Sequence, residues 1–167
     1  MQTALPLILA EELDADWAKV GAKLGTNDPA YADPKFGIHL TGGSNSIKNS
    51  FVQYRELGAR ARGMLLQAAA RVWNLPVAQL RTESSKVIAP DGRQLSYGEL
   101  ADKAMGEMVP QEISLKNAAQ FRLIGKATNR LDASDKSHGR QQFGLDVRLP
   151  GLLTAVVARP PVFGASI

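Results

Sequence analysis

The stretch Phe51-Val52-Gln53-Tyr54-Arg55-Glu56-Leu57-Gly58-Ala59-Arg60-Ala61-Arg62-Gly63-Met64-Leu65-Leu66-Gln67-Ala68-Ala69-Ala70-Arg71-Val72-Trp73-Asn74 decides the fold. Phe51, Tyr54, Leu57, Gly58, Ala61, Leu65, Ala68, Ala69 and Val72 recur at intervals of three and four, the period of one helix face. The spacing predicts a helix over 49–74, ended by Asn74, with Pro76 opening a short turn through Leu80. Gly58 and Gly63 each cost about 1 kcal/mol against alanine in a helix interior. Gly58 lies on the apolar face, which points to close packing against another element. Arg55, Arg60 and Arg62 read as a solvated face of the same helix.

Just before this helix stands Thr41-Gly42-Gly43-Ser44-Asn45-Ser46. Glycines permit close backbone approach, serines add hydroxyls, and the amides that open a helix favour anions. Gly42, Gly43, Ser44 and Ser46 are therefore candidate phosphate contacts. The other reading is plain loop chemistry before a helix. The segment is neither a Walker loop nor a GxGxxG following a strand.

Working outward, Leu5, Ile8, Leu9 and Leu13 predict an amphipathic helix over 3–16, with Thr3 as the one candidate cap. Glu11, Glu12, Asp14 and Asp16 crowd its C-terminal half. They oppose the helix dipole and need external compensation, though on their own they read as a solvated face. Residues 21–43 form a long loop, with a short strand expected in Val20–Leu24. Downstream, Asp91-Gly92 between the apolar runs 87–89 and Leu95 signals a hairpin. Ser96-Tyr97-Gly98-Glu99 has the form of a capping box and predicts a short helix over 97–105. Residues 106–120 read as a linker, and Phe121–Gly125 as a short strand or extended lead-in. Asn129–Gly139 reads as turn-like, Phe143–Val147 as a short strand, and Leu152–Arg159 as a half-buried strand. The fold class expected is α+β: a helix-plus-hairpin segment followed by a strand-rich segment, divided near residue 110 and incomplete at both ends. The expectation is a piece of a longer protein.

The 167 residues contain no cysteine, which excludes disulfides, thiolate-ligated metals and a thiol nucleophile within this chain. The net charge of +4 is spread singly along the chain, with acids between the bases and few aromatics, so nucleic acid is not an expected partner. No run reaches the ~20 apolar residues of a membrane span, and the start lacks the charged region of a signal peptide. His39 and His138 sit alone in polar loops, with no metal-ligand or triad spacing around them. Asp132, Asp135 and Asp146 read as surface ion-pair partners. No catalytic residue and no metal ligand is expected in these residues.

Taken in order, the segments resemble a known family. They are Thr41-Gly42-Gly43-Ser44-x-Ser46-Ile47, Ala59-Arg60-Ala61-Arg62-x-Met64-Leu65, Gly92-Arg93-x-Leu95-Ser96-Tyr97-Gly98-Glu99-Leu100 and Phe121-Arg122-Leu123-Ile124-Gly125-Lys126. After these come Arg130-Leu131-Asp132, Lys136, Gly139-Arg140, the stretch Phe143-Gly144-Leu145-Asp146-Val147-Arg148-Leu149-Pro150-Gly151, and Val157-Ala158-Arg159-Pro160-Pro161-Val162-Phe163-Gly164. The chain resembles the large, molybdopterin-binding subunit of molybdenum hydroxylases of the xanthine dehydrogenase family. The branch is the isoquinoline 1-oxidoreductase beta subunit, or aldehyde dehydrogenase, type.

The resemblance implies oxidation of aldehydes or N-heterocycles with water at a molybdopterin cytosine dinucleotide. It also implies an iron–sulfur subunit and the rest of the large subunit as partners. It places Gly42, Gly43, Ser44 and Ser46 in a cofactor-contacting loop. Residues 1–110 would belong to a molybdopterin-binding domain, and 111–167 to a linker and the start of a hammerhead-like α/β domain. The family's catalytic glutamate has no counterpart here, so the chain alone is expected to be inactive and to bind no cofactor. Relatives often carry a twin-arginine export signal, which leaves localisation open. The rival expectation is a standalone noncatalytic α+β module that binds a partner protein through its apolar ends; a third is a phosphate-binding regulatory domain.

Overall fold

A computed structural model describes residues 2–23, 25–40 and 42–165. Thr41 of the glycine loop, and Leu24 at the end of the strand expected over Val20–Leu24, lie outside them. Helix α1 (Ala4–Leu13) packs along α2 (Asn45–Trp73). The contact is close because of Gly58, where a Cβ would stand 2.5 Å from the Leu9 carbonyl oxygen. Asn74 closes α2 in the left-handed conformation, φ 52°, its N–H returning to Arg71 O and Ala70 O. A single 3-10 turn follows at Val77–Gln79.

Three short strands form an antiparallel meander: β1 (Arg81–Glu83), β2 (Lys86–Ile88) and β3 (Gln94–Ser96). The hairpin expected around Asp91-Gly92 is the β2–β3 connection, with Ile88 opposite Gln94 and Gly92 at φ 87°. β1 was not expected from sequence. It is joined to β2 through Ser84 and Ser85, both at positive φ, 47° and 61°. That is the backbone of a two-residue hairpin turn, made here by serines rather than the usual Asn-Gly. Helix α3 (Tyr97–Ala104) opens on the expected capping box: Ser96 Oγ accepts from Glu99 N–H, and the Glu99 carboxylate accepts from Ser96 N–H.

One face of α2, the sheet and α3 close over Leu65, Ala68, Ala69, Leu80, Val87, Ala89, Leu100 and Ala104. The alanines let α2 and α3 approach, and Val87 and Leu100 are fully buried between them. The segment after α3 is irregular, as expected for a linker. It reaches Ala133 within the first of two compact units; the second is 134–165 among the described residues.

Several expected strands are corrected. Residues 20–23 are irregular, and Phe121–Gly125 is turn-like with no ladder pairing. In the second unit Phe143–Val147 holds a 3-10 turn, Gly144–Asp146. No strand occurs there among the described residues, and Leu152–Arg159 runs exposed rather than half-buried. A β-prone run becomes a strand only where a neighbour takes its hydrogen bonds, and none of these runs has one. The polar stretch 129–139 contains a five-residue helix, α4 (Ala133–Ser137). The mixed α+β class stands; the strand-rich second part does not.

Candidate functional site

The glycine loop leads straight into α2. Gly42, Gly43 and Ser44 are exposed and Ser46 is half-buried, all within one turn of the helix start. The structure thus keeps the four candidate residues together. Ser44 holds the N-cap position but not the N-cap conformation. An N-cap residue normally has extended backbone, which lets its hydroxyl reach the second or third amide. Ser44 is left-handed, φ 55° and ψ 26°, and its side chain makes no cap. Gly43 beside it is also at φ 55°. Asn45 N–H turns back to Gly42 O at 3.1 Å, and no acid stands in the first helical turn. A Cβ at Gly42 would meet nothing within 4 Å.

The approach to this loop is held from behind. Asp33 accepts from the N–H groups of Lys35 and Phe36 and from Asn49 Nδ2 on α2, at 2.9–3.1 Å. His39 Nε2 lies 3.0 Å from Asp28 O, and His138 Nδ1 lies 2.8 Å from Ser134 O. Both histidines are exposed and locally bonded, as expected of isolated loop histidines. Among the described residues no group of three potential metal ligands occurs.

A second polar assembly is built at the C-terminal end of α1, and here the expectation from sequence is corrected. Glu11 and Glu12 are not a solvated face; they are 1% and 0% exposed. Glu11 accepts the consecutive N–H groups of Arg122, Leu123 and Ile124 on one oxygen, at 2.9, 2.7 and 3.0 Å. Lys116 Nζ lies 2.9 Å from Glu11 and 2.7 Å from Asp14. Glu12 takes Arg55 Nη2 at 2.7 Å and the Lys116 N–H at 3.2 Å. Asp14 also accepts from Thr82 Oγ1, at 2.6 Å, and Arg62, at 3.3 Å. Tyr97 OH donates to the Leu13 carbonyl at 2.6 Å; burial, and the Asp14 carboxylate, push its hydroxyl up.

The arginines of α2 are corrected with the acids. Arg55 donates to Lys116 O and lies between the rings of Phe51 and Phe121. Arg60 donates to Pro110 O, and Arg62 reaches Ser114 O at 3.5 Å. They bind carbonyls of the linker rather than water. The one signal of this in the sequence was the acid-rich end of α1, which required compensation from elsewhere. Lys116 supplies it from a stretch with no motif of its own. Of the other acids, Asp132 is buried, its carboxylate 2.9 Å from Arg130, whereas Asp135 pairs with Arg140 in the open.

These carboxylates are fully engaged and serve as the frame. The glycine loop is open. No family model matches the chain. It is similar to the beta chain of the isoquinoline 1-oxidoreductase of Brevundimonas diminuta, 35% identical over 97% of this chain and 25% of that protein. It is 35% identical, over 98% of its length, to 14% of the B-subunit of the nicotinate dehydrogenase of Pseudomonas putida. A third relative is a membrane-bound aldehyde dehydrogenase of Gluconacetobacter polyoxogenes, whose name carries pyrroloquinoline quinone; it is 32% identical over 99% of this chain and 22% of that protein. The chain spans a quarter or less of the length of these curated relatives. The ordered motifs and the end-to-end similarity agree: the chain is similar, over nearly its whole length, to a segment of molybdenum hydroxylase subunits.

Proposed function

We propose that this chain contributes one wall of a molybdopterin cytosine dinucleotide site in a hydroxylase acting on aldehydes or N-heterocycles. The observation that carries the reading is the left-handed Ser44 at the head of α2. A non-glycine residue in that conformation is uncommon, and here it gives up the usual cap. Among the described residues, the N-cap side chain thus takes none of the first amides of this 29-residue helix. With Gly42 open and no acid in the first turn, the residues fit a phosphate or pyrophosphate group. The cofactor, when bound, supplies the redox chemistry by which water becomes the substrate's hydroxyl group. Gly42, Gly43, Ser44 and Ser46 would bind and orient it; none of them moves a proton or electron. Residues 1–110 are assigned to the cofactor-binding domain, and 111–167 to a linker and the start of the next domain. The partners proposed are an iron–sulfur subunit and the remainder of the large subunit.

The test uses the whole gene product. Its molybdenum content and the cytidine monophosphate released by acid are measured for wild type and for Gly43→Val. The variant places a branched side chain at φ 55° beside Asn45, and occupancy is expected to fall about tenfold, a change of ~1.4 kcal/mol. Equal occupancy would remove the loop as a site. The name of the Gluconacetobacter relative favours a second reading, pyrroloquinoline quinone; quinone in the acid extract with neither molybdenum nor cytidine monophosphate would establish it. The 167-residue chain alone is expected to show no hydroxylase turnover.

A further inference from the structure

Residues 110–124 carry the chain from α3 back over α1 and α2 with no ladder and a single 3-10 turn, Ala118–Gln120. None of them is fully buried. None belongs to the core closed by α2, the sheet and α3, or to the half-buried hydrophobics packed against it. Among the described residues, each hydrogen bond that ties this segment to α1 or α2 runs through a charged side chain. Arg60 and Arg62 donate to the carbonyls of Pro110 and Ser114, and Arg55 to that of Lys116. Glu12 accepts the Lys116 N–H, and the Lys116 ammonium reaches Glu11 and Asp14. Glu11 accepts the N–H groups of Arg122, Leu123 and Ile124.

A segment held in this way and a packed core answer to different forces. Backbone with little buried apolar surface lies at the low end of local stability, and a core of buried side chains at the high end. Glu11 also makes the segment one piece rather than two. Lys116 and the 122–124 amides close on the same carboxylate, and groups that share one network respond together. Beyond the segment the chain is pinned again: Leu131 N–H donates to Thr3 Oγ1 at 3.2 Å, and Asp132 is buried.

We propose that residues 110–124 form a strap that opens as one piece while the core stays closed, with Glu11 as its buckle. Opening leaves a free loop between α3 and Leu131. It also bares Arg55, Arg60 and Arg62 along α2, the helix that the glycine loop begins. The inference does not depend on which cofactor the protein holds.

Amide hydrogen exchange of the whole gene product, in its native assembly and at constant pH, tests it. Exchange is read at the amides of Lys116, Arg122, Leu123 and Ile124 and, for the core, at those of Leu65, Ala68 and Ala69. After correction for local sequence, the strap amides are expected to exchange about 100-fold faster than the core amides. Urea below the unfolding transition is expected to speed the core amides steeply and the strap amides by less than about threefold, because urea acts in proportion to the surface exposed. Glu11→Gln is expected to speed all four strap amides by one common factor, about tenfold, since the charge that strengthens their shared bonds is gone.

Strap and core amides that exchange at the same rate, or that climb together in urea, would show that the strap opens only when the whole unit unfolds, and would overturn the proposal. The urea series uses the wild type, so that outcome is read whether or not the variant folds. Different factors for Lys116 and for the 122–124 amides in Glu11→Gln would overturn the single piece. Unchanged strap rates in the variant would overturn the buckle.

Discussion

At Gly58 a single added carbon would lie 2.5 Å from Leu9 O and 3.0 Å from Glu12 Cβ, and α1 would have to part from α2. Gly58→Val is therefore expected to destabilise by about 1–3 kcal/mol, read as a lower urea midpoint. Gly42→Ala meets nothing within 4 Å and is expected to leave the midpoint in place. The same α1 carries the acid response. Burial raises the Glu11 carboxyl, but the N–H groups of Ile124 and Leu123, the Lys116 ammonium and the Arg122 N–H outweigh it and hold it below the ordinary glutamate value. Burial raises Asp14 too, and Lys116, Thr82 and Arg62 outweigh it in the same way. A depressed folded-state value contributes stability that is complete above the unfolded carboxylate range, about pH 4–4.5, and is lost as pH falls through the folded values. The urea midpoint should thus change little through these groups between pH 7 and 5 and fall below that. Glu11→Gln should lower the midpoint at pH 7 and flatten the acid limb. An acid limb unchanged in the variant would remove Glu11 as its source.

At the scale of elements, the linker 106–124 owes its course to side chains from α1 and α2 rather than to a ladder of its own. Lys116→Met leaves Glu11 and Asp14 buried without their shared cation. It is expected to cost about 3–5 kcal/mol, against about 1 kcal/mol for the exposed cap in Ser96→Ala; similar losses for the two in urea titrations would contradict this ranking. These cases also show what a sequence can carry. α2, the β2–β3 hairpin and α3 were legible because period, turn and cap are local codes. The glycine loop was legible for the same reason, though the left-handed Ser44 was not, since nothing in Gly-Gly-Ser forces it. The burial of Glu11 and Glu12 was hidden because their partners lie far off in the chain: Lys116 and the 122–124 amides stand more than 100 residues from Glu11, and Arg55 stands 43 residues from Glu12. β1 was missed because three residues, Arg81–Glu83, are too few to show a period. Leu152–Arg159 has the right composition for a strand, yet no neighbour here to pair with.

At the scale of the molecule, two compact units differ in how much they bury. The first holds the buried core, and the second, 134–165, exposes Leu145, Leu153, Val156, Val157 and Phe163. Trypsin is expected to cut first at exposed Arg140 and Arg148. A chain ending at Ala133 should keep the denaturation midpoint of the whole; a clear fall would show that the second unit contributes to the stability of the first. A cut near residue 110, by contrast, would remove Lys116 and the 122–124 amides from acids that remain. The separation between those groups also sets an order of events during synthesis. Lys116 lies 105 residues beyond Glu11, so at about 5–20 residues per second it is made roughly 5–20 s later. Through that interval Arg55 and Arg62 of α2 are already there for Glu12 and Asp14, but Glu11 has no cation to receive it and stays hydrated. Helix α1 thus leaves the ribosome before α2 and α3 yet is locked down only after both have been made, and a nascent chain halted before Lys116 would hold α1 loosely for a chaperone to grasp.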